Sequence, residues 1–99
     1  MDPDELDVKL AQLYSSAQSA SSEGLPEEAL RRCDEALQLL ESLGEDTEQH
    51  TYADFVMLMG DIQWTAGDYE EANRAYHRVV QNEPERLDAR IAYGVSLFH

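Results

Sequence analysis

The stretch Gly67–Pro84, GDYEEANRAYHRVVQNEP, decides the fold. It has the pattern of a glycine turn, a capped helix and a proline stop. Asp68 is predicted to cap the helix, and Glu71, three residues later, would complete a capping box. Pro84 cannot continue a helix and ends the pattern. The residues that recur at helical spacing, and that we expect to face inward, are Tyr69, Ala72, Tyr76, Val79 and Val80.

Four more helical segments follow from the same signals. The first begins at Asp2-Pro3, with Glu5 completing a capping box, and ends before Gly24. The second runs from Pro26 to about residues 43–44, the third covers about 48–66 with Asp46 or Thr47 as cap, and the last runs from about 86 to the end. No alternation typical of strands stands out. The sequence therefore predicts an all-α protein of about five helices. The predicted apolar positions are Leu6, Leu10, Leu13, Tyr14 and Ala17 in the first helix, and Ala29, Leu30, Cys33, Ala36, Leu37 and Leu40 in the second. They are Tyr52, Phe55, Val56, Met59, Ile62 and Ala66 in the third, and Leu87, Ile91, Val95, Leu97 and Phe98 in the last.

Composition restricts the class of protein. Ninety-nine residues, 42% of them hydrophobic, suit one small domain with a core. A net charge of −14 repels a phosphate backbone and an anionic membrane, so neither nucleic acid nor membrane is an expected partner. Cys33 is the single cysteine and is predicted to be a small core residue. The first ten residues lack the basic and apolar regions of a signal peptide, which favours a cytoplasmic location.

An internal repeat organises the chain. EGLPEEALRRCDEAL (23–37) aligns without a gap on AGDYEEANRAYHRVV (66–80), an offset of 43 residues. The same step carries Ala17 to Gly60, and a step of 34 carries Gly60 to Gly94. The repeating unit is therefore a helical hairpin of about 34 residues, with about nine extra residues between the first two units.

The middle unit resembles a tetratricopeptide repeat (TPR). The residues that carry the resemblance are Met59-Gly60, Gly67-Asp68-Tyr69, Ala72, Tyr76 and Pro84, whereas Val56, Gln63 and Val79 depart from the commonest residues. Small residues at Gly60 and Ala72 would let the two helices approach closely. The resemblance implies one TPR domain over 1–99, a short solenoid of two and a half repeats: repeat one at about 3–43, a linker at about 44–47, repeat two at about 48–84 and the first helix of a third repeat at about 85–99.

The resemblance also implies a function. TPR units usually bind peptides or helices in a concave groove lined by their first helices, so we expect a protein-interaction scaffold. No cation occupies the positions where some TPR domains hold a C-terminal carboxylate. The groove would instead be apolar and acidic, suited to an amphipathic or basic segment of a partner protein. Its expected residues are Tyr14, Gln18, Asp54, Met57, Asp61, Trp64, Asp88, Ile91, Val95 and Phe98.

Two of these assignments have ordinary structural alternatives. Trp64, late in its helix, is expected either to pack within the hairpins or to anchor a ligand. The aspartates form either a solvated face or a set of cation contacts. Enzyme chemistry has little support, because His50, His77 and His99 are far apart and no nucleophile lies beside a base. We therefore expect no catalytic residue, no metal and no cofactor, with His77 exposed on its helix.

The last segment raises a further question. Its apolar residues Ile91, Val95, Leu97 and Phe98 have no pairing helix in the sequence. Either the chain is a fragment of a longer TPR protein, or the helix packs against another copy as a homodimer. The alternatives to a scaffold are accordingly a self-association module, or a small acidic chaperone of the bacterial secretion type, although the chain is short for one.

Overall fold

A computed structural model describes residues 3–42 and 49–98, and all regular structure in those residues is helical. The five helices are α1 (Pro3–Ser22), α2 (Pro26–Glu41), α3 (Gln49–Thr65), α4 (Tyr69–Asn82) and α5 (Leu87–Leu97). The all-α prediction with about five helices is confirmed. The caps predicted at Asp2 and at Asp46 or Thr47, and the end of the second helix at 43–44, lie outside the described residues.

The chain divides into two compact units, Met1–Thr47 and Glu48–His99. The first contains α1 and α2, and the second contains α3, α4 and α5. Each unit is a set of helices packed in sequence order, and each is described by itself below. The assignment of both units to one solenoid domain stays a prediction.

The first unit is a helical hairpin closed by a tight turn. Gly24 has φ +80°, a left-handed conformation that strains other residues, and the amide of Leu25 donates to the Ala20 carbonyl at 2.9 Å. Arg31 and Arg32 both pair with Glu28 on the surface of α2. The buried residues of the two helices are Leu10, Leu13, Ala17, Ala20, Ala29, Cys33, Ala36, Leu37 and Leu40.

Cys33 is a core residue, as the sequence predicted. Its side chain is fully buried in α2. Burial raises the pKa of its thiol to about 12, because a thiolate would lose its hydration there. A thiol that stays protonated at neutral pH is a poor nucleophile, so Cys33 contributes packing rather than reactivity.

The second unit begins with a hairpin built in the same way. Gly67 has φ +87°, and the amide of Asp68 donates to the Gln63 carbonyl at 2.8 Å. Asp68 stands at the N-cap of α4 but makes no capping hydrogen bond through its side chain, and Glu71 pairs with Arg74 instead. The predicted capping box is therefore wrong, and the turn is closed by the backbone.

The inward face of α4 is narrower than the sequence predicted. Ala72, Tyr76 and Val79 are buried, and Val80 is half-buried. Tyr69, the first residue of α4, is 36% exposed, so its assignment to the core was wrong. Because Tyr69 lies beside the turn, its ring packs edge-to-face on Trp64, with centroids 4.8 Å apart.

Helices α3 and α4 approach most closely at Gly60. A Cβ atom added there would lie 2.6 Å from Cε1 of Tyr76, a distance that requires something to shift. The prediction that a small residue at this position permits close packing is therefore confirmed at Gly60. Ala17, the equivalent residue of the first hairpin, is fully buried in α1.

Helix α5 packs against α4 through a small polar and aromatic contact. Asn73 donates a hydrogen bond to the hydroxyl of Ser96 at 2.8 Å, and Ser96 donates to the Tyr93 carbonyl at 2.7 Å. The His77 ring stacks on Tyr93, with centroids 5.0 Å apart and planes 16° apart. His77 is exposed, as predicted, but it contributes to the α4–α5 contact.

Replacing Gly60 tests the close approach. In Gly60→Ala, overpacking against Tyr76 costs about 1–3 kcal/mol, and the better helix propensity of alanine returns up to about 1 kcal/mol. We expect a net loss of up to about 3 kcal/mol in the free energy of unfolding. The measurement is urea unfolding followed by fluorescence of Trp64, the single tryptophan.

Gly94→Ala is the matched control. Gly94 is inside α5, and a Cβ atom there meets nothing within 4 Å. Alanine should leave stability unchanged or raise it by up to about 1 kcal/mol. Equal effects of the two substitutions would contradict a packing role for Gly60.

Candidate interaction surface

The second unit carries eight of the ten predicted groove residues. Four lie on α3, and four lie on α5 and at its C-cap. The other two, Tyr14 and Gln18, lie on α1 of the first unit, where Tyr14 is half-buried and Gln18 is exposed. The structure therefore relates the eight residues to one another, and the groove of ten stays a prediction. The eight are Asp54, Met57, Asp61, Trp64, Asp88, Ile91, Val95 and Phe98.

Arg86 organises the polar part of this surface. It lies between α4 and α5, and its side chain is only 16% exposed. The guanidinium donates to Asp54 on α3, to Asp88 at 2.9 Å and to Glu83 at 3.2 Å. Desolvation by itself would lower the pKa of Arg86, but the hydrogen bonds to Asp88, Asp54 and Glu83 outweigh it and raise the pKa. Arg86 thus fixes the start of α5 against α3 as a permanent cation.

Two of the predicted cation-binding aspartates are engaged by this arginine. Asp88 also accepts a hydrogen bond from the amide of Ala89 at 2.9 Å. Partial burial opposes ionisation of Asp88, but the contacts with Arg86 prevail and lower its pKa. A basic partner would have to compete with Arg86 for Asp54 and Asp88. Sequence reasoning missed Arg86, although an arginine directly before a helix with an aspartate two residues later indicates a local ion pair.

Asp61 is the third aspartate of the surface and has a different environment. Its Oδ1 accepts a hydrogen bond of 2.7 Å from the Tyr76 hydroxyl. Burial raises the pKa of Asp61, and the negative charge of Asp88 raises it further. The hydrogen bond from Tyr76 lowers the pKa but does not cancel these two effects. Asp88 therefore lies close enough to Asp61 for their charges to interact. As a whole residue Asp61 is exposed, so its carboxylate has room for a second contact.

The α3 side chains offer less apolar surface than predicted. Met57 is 8% exposed, which leaves little of its side chain for a partner. Trp64 is half-buried, and its ring is braced by Tyr69. Trp64 therefore packs within the hairpin in part, and its role as a ligand anchor stays a prediction.

The accessible apolar surface lies on α5. Ile91 is 58% exposed, Val95 is 55% exposed and Phe98 is 93% exposed. Positions 91, 95 and 98 are spaced by four and three residues, so they share one face of the helix, and Asp88 begins the same row. Large apolar side chains in a contiguous exposed row, next to acids, are the usual signature of a binding surface.

The described residues, 3–42 and 49–98, offer neither a metal site nor a membrane-spanning helix. No group of three or more His, Cys, Asp or Glu side chains in those ranges has a geometry that could hold a metal ion. Within the same ranges, no helix combines the length and the apolar character needed to cross a bilayer.

Known proteins do not identify the chain. No family model matches it, and neither the curated proteins nor the solved structures include a significant match. The resemblance to TPR proteins therefore depends on the motif residues and on the repeat within the chain itself.

Removing the Arg86 side chain tests its role. Arg86→Ala would leave three carboxylates facing one another, and we expect unfolding to become easier by about 2–4 kcal/mol. Arg86→Lys should lose about half of that, because lysine keeps the charge without the planar fork. Urea unfolding of both variants gives the comparison.

Arg74→Ala is the control for charge alone. Arg74 pairs with Glu70 and Glu71, but all three side chains are exposed. Its removal should cost at most about 1 kcal/mol. An Arg86→Ala variant no less stable than Arg74→Ala would show that the Arg86 contacts contribute little.

Asp61 provides a test of pH dependence. Its folded pKa lies above its ordinary value of 3.8, so the folded state holds the proton more tightly. Stability therefore falls as pH rises through the window between the two pKa values, and the carboxylate costs stability above that window. Asp61→Asn removes this cost, and its amide oxygen can still accept from Tyr76. We expect the variant to gain stability relative to the original chain as pH rises through that window.

The comparison variant is Asp88→Asn, for which the sign is opposite. The folded pKa of Asp88 lies below its ordinary value, so its carboxylate adds stability above that value and loses it on acidification. Asp88→Asn should lose stability relative to the original chain as pH rises. The same sign for both variants in chemical unfolding at each pH would contradict the assigned environments.

Proposed function

We propose that the chain is a non-enzymatic protein-interaction module of the TPR type, and that it binds an amphipathic, basic segment of a partner protein on the α3–α5 face. The observation that carries this proposal is the exposed row of Ile91, Val95 and Phe98 on α5. The TPR-like repeat supports the same conclusion, since such repeats present their first helices to ligands. The proposed location is the cytoplasm.

The apolar part of the partner would contact α5. Three neighbouring side chains that are each more than half exposed offer enough area for two or three apolar anchors, and burying them removes apolar surface from water. Trp64 contributes the part of its ring that reaches solvent. Met57, being buried, has no direct contact with the partner in this proposal.

The basic part of the partner would be drawn by the acidic surface. With 21 acidic and 7 basic residues, the chain attracts cationic segments over a long range. Asp61 is the best placed contact, because Asp54 and Asp88 are already paired with Arg86. A lysine or arginine close to Asp61 would also relieve its repulsion with Asp88.

Self-association through α5 is the main alternative. The same exposed row could pair with a second copy, but two copies would each carry a charge of −14. That repulsion favours a basic heterologous partner over a copy. The chaperone alternative has no separate observation in its favour.

The test uses two designed helical peptides that differ only in charge. One combines leucine with lysine, and its control combines leucine with glutamate at the same positions. The ¹⁵N-labelled full chain is titrated with each peptide, and amide shifts are recorded. The lysine peptide should shift α5 and the end of α3, with an affinity that falls as salt is added. The glutamate peptide should not bind.

Matched variants separate the proposed face from general charge attraction. Val95→Ser together with Phe98→Ser should weaken binding of the lysine peptide by about tenfold or more, because two apolar contacts are lost. Val8→Ser, at an exposed apolar residue of α1, should leave binding unchanged. Binding that is unaffected by the α5 variants, or shifts confined to α1 and α2, would overturn the proposal.

A further inference from the structure

A second face of α5 has residues equivalent to those of α3 that lie around its contact with α4. A step of 34 residues places Arg90 on Val56, Gly94 on Gly60 and Leu97 on Gln63. These three residues are spaced by four and three, so they share one side of α5. They lie beside the row of Ile91, Val95 and Phe98 but do not overlap with it. We name Arg90, Gly94 and Leu97 the Gly94 face.

On α3, the equivalent face is filled by an aromatic ring. Tyr76 of α4 lies so close to Gly60 that a Cβ atom there would be 2.6 Å from the ring. On α5, a Cβ atom added at Gly94 meets nothing within 4 Å. Leu97, beside it, is 59% exposed. The space that the Tyr76 ring of α4 occupies over Gly60 is thus open over Gly94.

Arg90 gives this face a charge. Among the described residues, the side chains of the other six cations (Lys9, Arg31, Arg32, Arg74, Arg78 and Arg86) each have an acidic or aromatic partner. Arg90 is exposed, and within residues 3–42 and 49–98 its guanidinium makes no such contact. The chain has 21 acidic residues, yet this arginine has no acidic partner among the described residues. It can therefore form an ion pair with an acidic side chain of a binding partner.

We propose that the Gly94 face binds a helix of a different protein, and that this helix places a phenylalanine over Gly94 and an acidic residue against Arg90. We expect the partner to be a helix because the equivalent position of α3, Gly60, is covered by a helix, α4. The inference uses residues other than those of the proposed basic-peptide surface and stands independently of it.

The choice of phenylalanine follows from the neighbour of the ring. The Tyr76 hydroxyl donates to Asp61, one residue after Gly60. The residue after Gly94 is Val95, which has no acceptor. A tyrosine hydroxyl at this position of the partner would lose a hydrogen bond to water without gaining one, so the face favours a ring without a hydroxyl.

The position of the acid follows from the register of α3 and α4. Contacts of Gly60 with Tyr76 and of Tyr52 with Arg78 show that earlier residues of α3 meet later residues of α4. The residue one turn before Gly60, Val56, therefore faces the residue one turn after Tyr76, which is Val79. Both are buried. Arg90 takes the place of Val56, so the partner should carry its acid three residues after the phenylalanine.

A second copy of the chain does not meet these requirements. The inward face of α4, with Tyr76, is already used by α3, and α2 has Cys33 at the equivalent position. Repulsion between two chains of charge −14 acts in the same direction.

The probe is a peptide with the sequence of α4, residues 69–82, carrying Tyr76→Phe and Val79→Glu. The α4 of the chain itself keeps its place on α3, because it competes at a high effective concentration. The peptide is titrated into the ¹⁵N-labelled full chain, and dissociation constants are taken from the amide shifts. The largest shifts are expected at Arg90, Gly94 and Leu97. The same peptide with tyrosine retained should bind more weakly, by about threefold or more.

A side chain in the space over Gly94 should weaken binding of the probe. Gly94→Leu has room for its Cβ atom, so the helical content should be retained, as circular dichroism can verify. We expect the affinity for the probe to fall by about tenfold. Val8→Ser, at an exposed apolar residue of α1, is the control and should change the affinity by less than about twofold.

A charge exchange tests the acidic contact separately. Arg90→Glu should weaken binding of the probe by about two- to fivefold. A probe with Val79→Lys should recover that loss on the Arg90→Glu variant, as a double-mutant cycle would show. Unchanged affinity in Gly94→Leu, no recovery on charge exchange, or shifts outside the Gly94 face would overturn the proposal. Concentration-dependent shifts of the same three residues without peptide would assign the face to a second copy and would also overturn it.

Discussion

The second unit depends on the close approach of α3 and α4 at Gly60. The absence of a side chain at that position lets the Tyr76 ring lie against the backbone of α3. The ring position in turn brings its hydroxyl to Asp61, on the face that we propose binds a partner. One missing methyl group thus permits the close helix spacing, the position of an aromatic ring and the hydrogen bond from that ring to a surface carboxylate.

Arg86 extends this arrangement to the third helix. Its guanidinium joins Asp54 on α3 to Asp88 at the start of α5, while His77 and Tyr93 stack between α4 and α5. The apolar row of α5 is therefore carried by a helix that is held on two sides. A rigidly held helix loses less conformational entropy when a partner binds, which favours specific recognition.

The sequence predicted the helices better than it predicted the surface. Helical spacing, Pro26, Pro84 and the two turn glycines gave the five helices, because each of these signals acts within a few residues. The capping box at Asp68 and the inward position of Tyr69 were wrong, because both depend on how the turn meets the packed helices. The contact between Arg86 and Asp54 was missed, because these residues are 32 positions apart in the sequence and only the folded structure brings them together.

The two hairpins divide the space between their helices in different ways. The second places a glycine on its first helix and a tyrosine on its second, whereas the equivalent residues of the first are Ala17 and Cys33, both fully buried. Exchanging α2 and α4 during folding would press Tyr76 onto a methyl group and would leave a void above Gly60. Each first helix would therefore pack better against its own second helix than against that of the other hairpin. The repeat carries a discrimination against mispairing that two identical hairpins could not provide.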